Sequence, residues 1–214
     1  MIRDMVDRAS MIVFLLLGNN PTLPYSECTG ILESNKIPYT EAERLDQVIV
    51  LKAPLSAFQV VVRQAGMVRR ACLLLTESSK APSKIIQAIA DLDLDALLKG
   101  QRSFAVRAKG IKEHAKGVNL AELEREIGAL IKGRIHRIPV DLENPGLLFY
   151  IVITNDKALI CLNLAQVEEK GFTQRRPGFR SFFHPTSMHP RLARAMVNLS
   201  GAKVGSTFLD PFCG

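Results

Sequence analysis

The residues best suited to chemistry stand at the far end of the chain. Thr207-Phe208-Leu209 is an apolar run that reaches an acidic residue, Asp210, and then a Pro211-Phe212-Cys213-Gly214 turn. In an α/β domain a nucleotide-like cofactor sits beyond the carboxyl end of the first strand, where an acidic side chain and a glycine permitting close backbone approach are both useful. Alone the pattern is weak, because glycine turns after strands are common connectors. A second group is electrostatic. Lys99, Arg102, Arg107, Lys109, Lys112 and Lys116 face a single acid in that interval, Glu113. Such a cluster can neutralise several phosphates, and it can equally serve as a solvated basic face. With only 6% aromatic residues and no Trp, stacking on unpaired bases is not the obvious mode; shape and backbone recognition of structured RNA fits better. A third group, Lys170, Arg175, Arg176 and Arg180, is interspersed with Gly171, Pro177 and Gly178 and reads as a basic connector that either touches RNA or only links.

The whole chain must be able to hold these groups in place. Its 214 residues are 47% hydrophobic, enough for one or two domains with a real core. A formal charge of +7 points to a polyanionic partner, and the excess lies late, with seven basic residues against three acids in 167–214. Cys28, Cys72, Cys161 and Cys213 are far apart, with no C-x-x-C pair and no nearby His. Neither a metal site nor a disulfide framework is implied, and a reduced, cytoplasmic protein is expected. The apolar run Met11–Leu17 is too short for a membrane span, and Asp4 and Asp7 spoil a signal peptide. It reads as a buried strand, with residues 1–10 as a dispensable lead.

Strand and helix then alternate: a helix around Tyr25–Ser34, β segments near Ile37–Thr40 and Gln47–Leu51, a helix from Leu55 to Gln64 and a doubly buried strand at Ala71–Leu75. After Lys80-Ala81-Pro82-Ser83 a helix carries Ile85, Ile86 and Ile89 on one face. Phe104, Val106 and Ala108 alternate toward a core, with Arg107 and Lys109 opposite. Asn119 and Glu122 form a capping-box pattern ahead of Leu120, Leu123, Ile127 and Leu130. The runs Leu147–Thr154 and Ala158–Asn163, joined by Asn155-Asp156-Lys157, read as a hairpin.

The segments F-A-V-R-A-K-G at 104–110 and V-D-L-E-N-P-G at 140–146, with this order of elements, resemble a THUMP domain. The stretch from Arg180 through Phe182-Phe183-His184-Pro185, Leu192-Ala193-Arg194-Ala195, Asn198-Leu199 and Asp210–Gly214 resembles the entry into the catalytic domain of the archaeal-type tRNA guanine-N2 methyltransferases. The resemblance implies an α+β chain with a ferredoxin-like unit at 1–78, a THUMP domain at 79–166, a linker at 167–190 and, at 191–214, the first strand of a Rossmann-like methyltransferase domain whose remainder is missing. It further implies S-adenosylmethionine as cofactor of the whole enzyme. His184, Pro185 and Thr186 would wall that pocket, and Asp210, Pro211, Phe212 and Gly214 would form its turn. The helix Arg191–Leu199 would cover the first catalytic strand with Leu192, Met196 and Leu199. The implied partner is the acceptor end of tRNA, with no membrane or metal. No Asp/Asn-Pro-Pro-Tyr acceptor loop occurs in residues 1–214, so the chain alone is expected to bind tRNA without methylating it. A stand-alone THUMP module, another tRNA-modifying enzyme using that module, and a DNA amino-methyltransferase are the rival classes.

Overall fold

The computed structural model describes residues 10–179, 181, 187–203 and 205–211. Within them one continuous seven-stranded sheet runs in the order β2-β3-β1-β4-β7-β6-β5. The strands are β1 (Ser10–Leu16), β2 (Thr40–Leu45), β3 (Val48–Ala53), β4 (Val68–Ser79), β5 (Phe104–Gly110), β6 (Leu147–Thr154) and β7 (Lys157–Gln166). All neighbours are antiparallel except β5 and β6. The long β4 joins the halves: it pairs with β1 on one side and β7 on the other, with register shifts at Ala71/Cys72 and Leu74/Thr76. Bulges of this kind add to the twist of a sheet and bend it.

Alternation along β1 sorts the two faces. Ile12, Phe14 and Leu16 pack under α1 (Leu23–Ser34) and α2 (Ser56–Gln64). On the same side Phe104, Val106, Phe149 and Ile151 pack under α3 (Pro82–Ala90), α4 (Leu94–Leu98) and α5 (Leu120–Arg134). Phe58 and Leu164 touch both clusters, so a single helix layer covers one face. Val13, Leu15, Val50, Cys72, Val152 and Leu159 form the opposite face together with Ile111. That face is shut off because the sheet curls and its two ends meet. The Asp46 N–H donates to Asn155 Oδ1 at 3.0 Å, the Thr154 hydroxyl donates to the Asp46 carbonyl at 2.9 Å, and the Lys157 ammonium binds Glu43 and Glu77.

Local chemistry sets the element ends. The Asn119 side chain accepts the Glu122 N–H at the start of α5, removing one of the unpaired donors of the first turn. Asn155, at φ 52°, makes the tight turn between β6 and β7. Two expectations shift. The β segment placed at Ile37–Thr40 lies instead at Thr40–Leu45; it is an edge strand rich in charge, whose position is fixed by pairing with β3 and not by apolar alternation. Ser10, counted with the dispensable lead, is buried and pairs with Ala53 as the first residue of β1. Residues 1–9 lie outside the described residues.

Beyond β7 the connector contains α6 (Lys170–Gln174), and α7 (Pro190–Leu199) follows. Thr207–Pro211, expected to begin a strand, is exposed and belongs to none. An extended segment acquires its ladder only from a neighbouring strand, and β2 and β5, the edges of the sheet, do not pair with it. No described helix is long and apolar enough to cross a membrane.

Candidate nucleic-acid interface

The sequence-predicted cations divide into two groups at opposite ends of β5. Lys99 and Arg102 are exposed just before its first residue, while Lys109, Lys112 and Lys116 stand at or after its end; seven extended residues separate the groups by roughly 20 Å. Not all are available to an anion. The Arg107 guanidinium donates to the Leu142 carbonyl at 3.0 Å and lies 3.6 Å from Glu124, which also accepts the Ala108 N–H. Arg107 and Glu124 thereby occupy the open edge of β5. Lys112 is 2.9 Å from Asp46, and His114 is 3.2 Å from the same carboxylate. Burial opposes ionisation of Asp46, yet the hydrogen bonds of Lys112 and His114 prevail and hold its carboxyl below the usual range. Lys99, Arg102, Lys109 and Lys116 make no ion pair among the described residues.

Three adjoining clefts share Gln47. One of about 180 Å³ includes Lys109, Arg69, Arg70 and Tyr150. One of about 280 Å³ includes Lys112, Asp46 and Asn19. The largest, about 450 Å³, includes Arg69, Arg176, Arg191, His189, Glu169 and Phe172. Lys109 and Lys112 from one cluster of the sequence and Arg176 from another thus come to one region, whereas Lys99 and Arg102 do not. Arg175, exposed on the connector, lies over the Phe172 ring at 5.2 Å.

Arg69, Arg70 and Arg191 were not singled out from sequence. Arg70 is held in place, stacked 4.4 Å from the Tyr150 ring and hydrogen-bonded to Asn163 and Gln166. The available signal was an Arg-Arg pair at the mouth of an otherwise apolar strand.

Helix α7 is docked on the first half of the sheet through polar groups, with Leu199 beside Gly30 of α1. Met196 is 49% exposed, whereas Ala195 is fully buried. Asn198 donates to Glu27 Oε1 at 2.7 Å and to the Gln64 carbonyl at 3.1 Å, and Arg191 donates to the Gly66 carbonyl at 2.9 Å. Arg191, Ala195 and Asn198 recur at helical spacing, so the face turned to α1 is the one bearing these polar anchors. Glu27, fully buried, also accepts the Gly66 and Met67 N–H groups at 2.7 Å each. Burial raises its carboxyl above the usual value, against the pull of those three donors.

Arg180, His184, Pro185, Thr186, Phe212 and Gly214 lie outside the described residues. Asp210 and Pro211 are described and exposed, and neither lines any of the clefts above. Among the described residues no group of three His, Cys, Asp or Glu could hold a metal ion. Cys28, Cys72 and Cys161 are buried, and burial pushes their thiols up and away from thiolate chemistry.

Residues 80–163 match the THUMP domain, and residues 177–214 match the RMKL-like methyltransferase domain. Over these segments the chain is similar to tRNA guanine-N2 methyltransferases. A tRNA (guanine(10)-N2)-dimethyltransferase of Methanothermobacter thermautotrophicus is 35% identical over 203 residues, covering 95% of this chain and 58% of that protein. Its namesake in Methanocaldococcus jannaschii is 30% identical over 220 residues, covering 95% and 61%. The chain therefore spans about three fifths of the length of these relatives. In fold, TrmN from Thermus thermophilus superposes with a TM-score of 0.60 at 19% identity, over 90% of this chain and 55% of that one. The THUMP segment begins with α3 and ends inside β7, so its sheet continues through β4 into the N-terminal half without a break.

Proposed function

We propose that this chain is the tRNA-gripping part of an S-adenosylmethionine-dependent methyltransferase acting on the exocyclic N2 of a guanine, with guanine 10 and dimethylation as the reading its relatives' names favour. The observation that carries this is the order of the two matched domains, THUMP and then methyltransferase. A solitary RNA-binding module or a thiolation enzyme does not account for the second of them. The domain limits 1–78, 79–166, 167–190 and 191–214 belong to the same reading. In it the THUMP half holds the acceptor end, and exposed cations beside β5 meet RNA phosphates.

Guanine N2 is a poor nucleophile because its lone pair is delocalised into the ring, so its methylation needs acceptors that orient the amine toward the methyl donor. Residues 1–214 contain no Asp/Asn-Pro-Pro-Tyr loop to do so. Asp210 lines none of the clefts described above, and small-ligand sites bury most of their ligand. No transfer step is assigned to this chain, and as a 214-residue polypeptide it is expected to bind tRNA, to bind S-adenosylmethionine weakly, and to transfer no methyl group.

Filter binding of tRNA at several salt concentrations, with cofactor dialysed alongside, tests the reading. Replacing Lys99, Arg102, Lys109 and Lys116 together by Ala should weaken binding alike for different tRNA sequences. It should also flatten the plot of log affinity against log salt by about one unit for each phosphate no longer neutralised. Removing the single-stranded acceptor tail should weaken the parent protein more than the variant. An unchanged affinity and slope in the variant would sink the assignment, as would a cofactor dissociation constant near ~1 μM for the assigned weakness.

A further inference from the structure

We propose that the 450 Å³ cleft walled by Arg69, Arg176 and Arg191 is a phosphate subsite that takes one phosphate of the bound RNA, outside the THUMP segment. The proposal rests on the reading above that the partner is tRNA, and adds a contact which neither the THUMP match nor the basic cluster of residues 99–116 contains.

The three guanidinium groups come from three separate elements: the start of β4, the connector after α6, and the first turn of α7. Arg191 is the fixed wall. Its side chain is only 13% exposed, lies 3.6 Å from Glu169, stacks 4.7 Å from the Phe172 ring and donates to the Gly66 carbonyl. A guanidinium locked this way has little conformational freedom left to lose when it binds an anion. Arg69 and Arg176 are exposed at the opening and form no ion pair among the described residues.

Three arginines against one carboxylate, Glu169, leave an excess of two positive charges in the cleft. The excess is felt locally. Burial and the nearby Arg176 and Arg191 keep the His189 ring below its ordinary value, so it adds no charge near neutrality. Burial, Arg69 and Arg176 likewise lower Arg191, against the opposing pull of Glu169 and Glu27. Like charges held together in a concave, partly desolvated site are relieved by an anion that two or three of them share. The planar forks of arginine suit phosphate oxygens in paired hydrogen bonds. RNA is the source to which the surroundings point, because Arg69 also lines the smaller cleft containing Lys109. A backbone entering past Lys109 would meet Arg69 next and then Arg176.

The test uses the full 214-residue chain with tRNA, and the substitutions Arg69→Gln and Arg176→Gln, singly and together. Both side chains are exposed, so the fold should survive; far-UV circular dichroism and the urea midpoint would verify that. The exposed Arg63→Gln on α2 is the control for loss of general positive charge. The double variant should lower the salt slope by about one unit, the signature of one phosphate, and weaken binding roughly tenfold at low salt. Arg63→Gln should change neither. Repeating the titrations with the 5′-phosphate of the tRNA removed tells a terminal monoester from an internal diester: the difference between parent and double variant vanishes only if the ligand is the monoester. The proposal is overturned if the double variant keeps the parent slope, or if Arg63→Gln matches it. It is equally overturned if inorganic phosphate at matched ionic strength saturates the cleft, followed by NMR of the arginine side chains, while tRNA affinity is indifferent to both arginines. A parent chain that binds no tRNA overturns this inference and the proposed function together. Weakening confined to the Lys99, Arg102, Lys109 and Lys116 variant overturns this inference alone.

Discussion

The two halves of the sheet bury different kinds of side chain beneath one helix layer. Under α3 and α5 the core is built from Ile85, Ile89, Phe104, Ile127, Phe149 and Ile151 and contains no buried charged group. In the first half α1 carries Glu27, the one fully buried charged side chain among the described residues. All three donors to that carboxylate lie outside α1, on Gly66, Met67 and Asn198. Apolar contact is non-directional and sets only that two elements pack. A satisfied buried carboxylate also sets where along its length a helix must stop. The THUMP half thus rests on apolar packing, whereas the N-terminal half is a socket that fixes α7, and with it Arg191, against the loop at Gly66.

Removing the socket's centre should have the largest effect. Glu27→Ala strands two buried backbone N–H groups and the Asn198 amide, and is expected to lower stability by about 3 kcal/mol. Urea unfolding would measure it, and hydrogen exchange should show α7 losing protection before α5 does. A decrease below about 1 kcal/mol, or equal deprotection of both helices, would break the contrast between the halves.

One substitution made in both halves should change sign. A Cβ on Gly66 would sit 2.5 Å from the Arg191 carbonyl oxygen, so Gly66→Ala must push α7 away, at about 1–3 kcal/mol. On α5 a Cβ at Gly133 meets nothing within 4 Å, and Gly133→Ala should stabilise by up to about 1 kcal/mol through helix propensity. Thermal unfolding of the two variants side by side decides the matter; two destabilisations of similar size would mean that α7 is no more tightly seated than a free helix surface.

The smallest effect sharpens the electrostatic side. Because burial, Arg176 and Arg191 depress His189, the unfolded chain takes up that proton near its ordinary value of about 6.5 while the folded chain does so only at lower pH. The unfolded state then binds more protons over that interval, so stability declines as pH falls from about 6.5. His189→Gln should remove a small part of this acid-side decline. Identical pH profiles for parent and variant would show that the arginines do not crowd the ring.

Much of the second half was legible from residue order, because its signals are local. The alternation of Phe104, Val106 and Ala108, the Asn119 cap and the Asn155 turn each act within a few residues, and each lies in the element assigned to it. The strand expected near Ile37–Thr40 was misplaced because an edge strand takes its position from its neighbour. The polar anchors of α7 were not legible for a similar reason: the partner surface offers a carboxylate and carbonyls, and Asn198 and Arg191 answer it.

Composition and spacing alone determined that the chain is basic, mixed in secondary structure and built around cations near β5. Which cations converge was decided only by the tertiary structure. Arg69 and Arg176 stand about a hundred residues apart, and they line one cleft because β4 pairs with β7 and because Glu27 draws α7 back onto the first half. Periodicity reports which side of its own element a residue occupies. The meeting of charges from distant elements depends on long-range strand pairing and on a buried hydrogen-bonded joint, and neither leaves a mark in the local sequence around the residues it brings together.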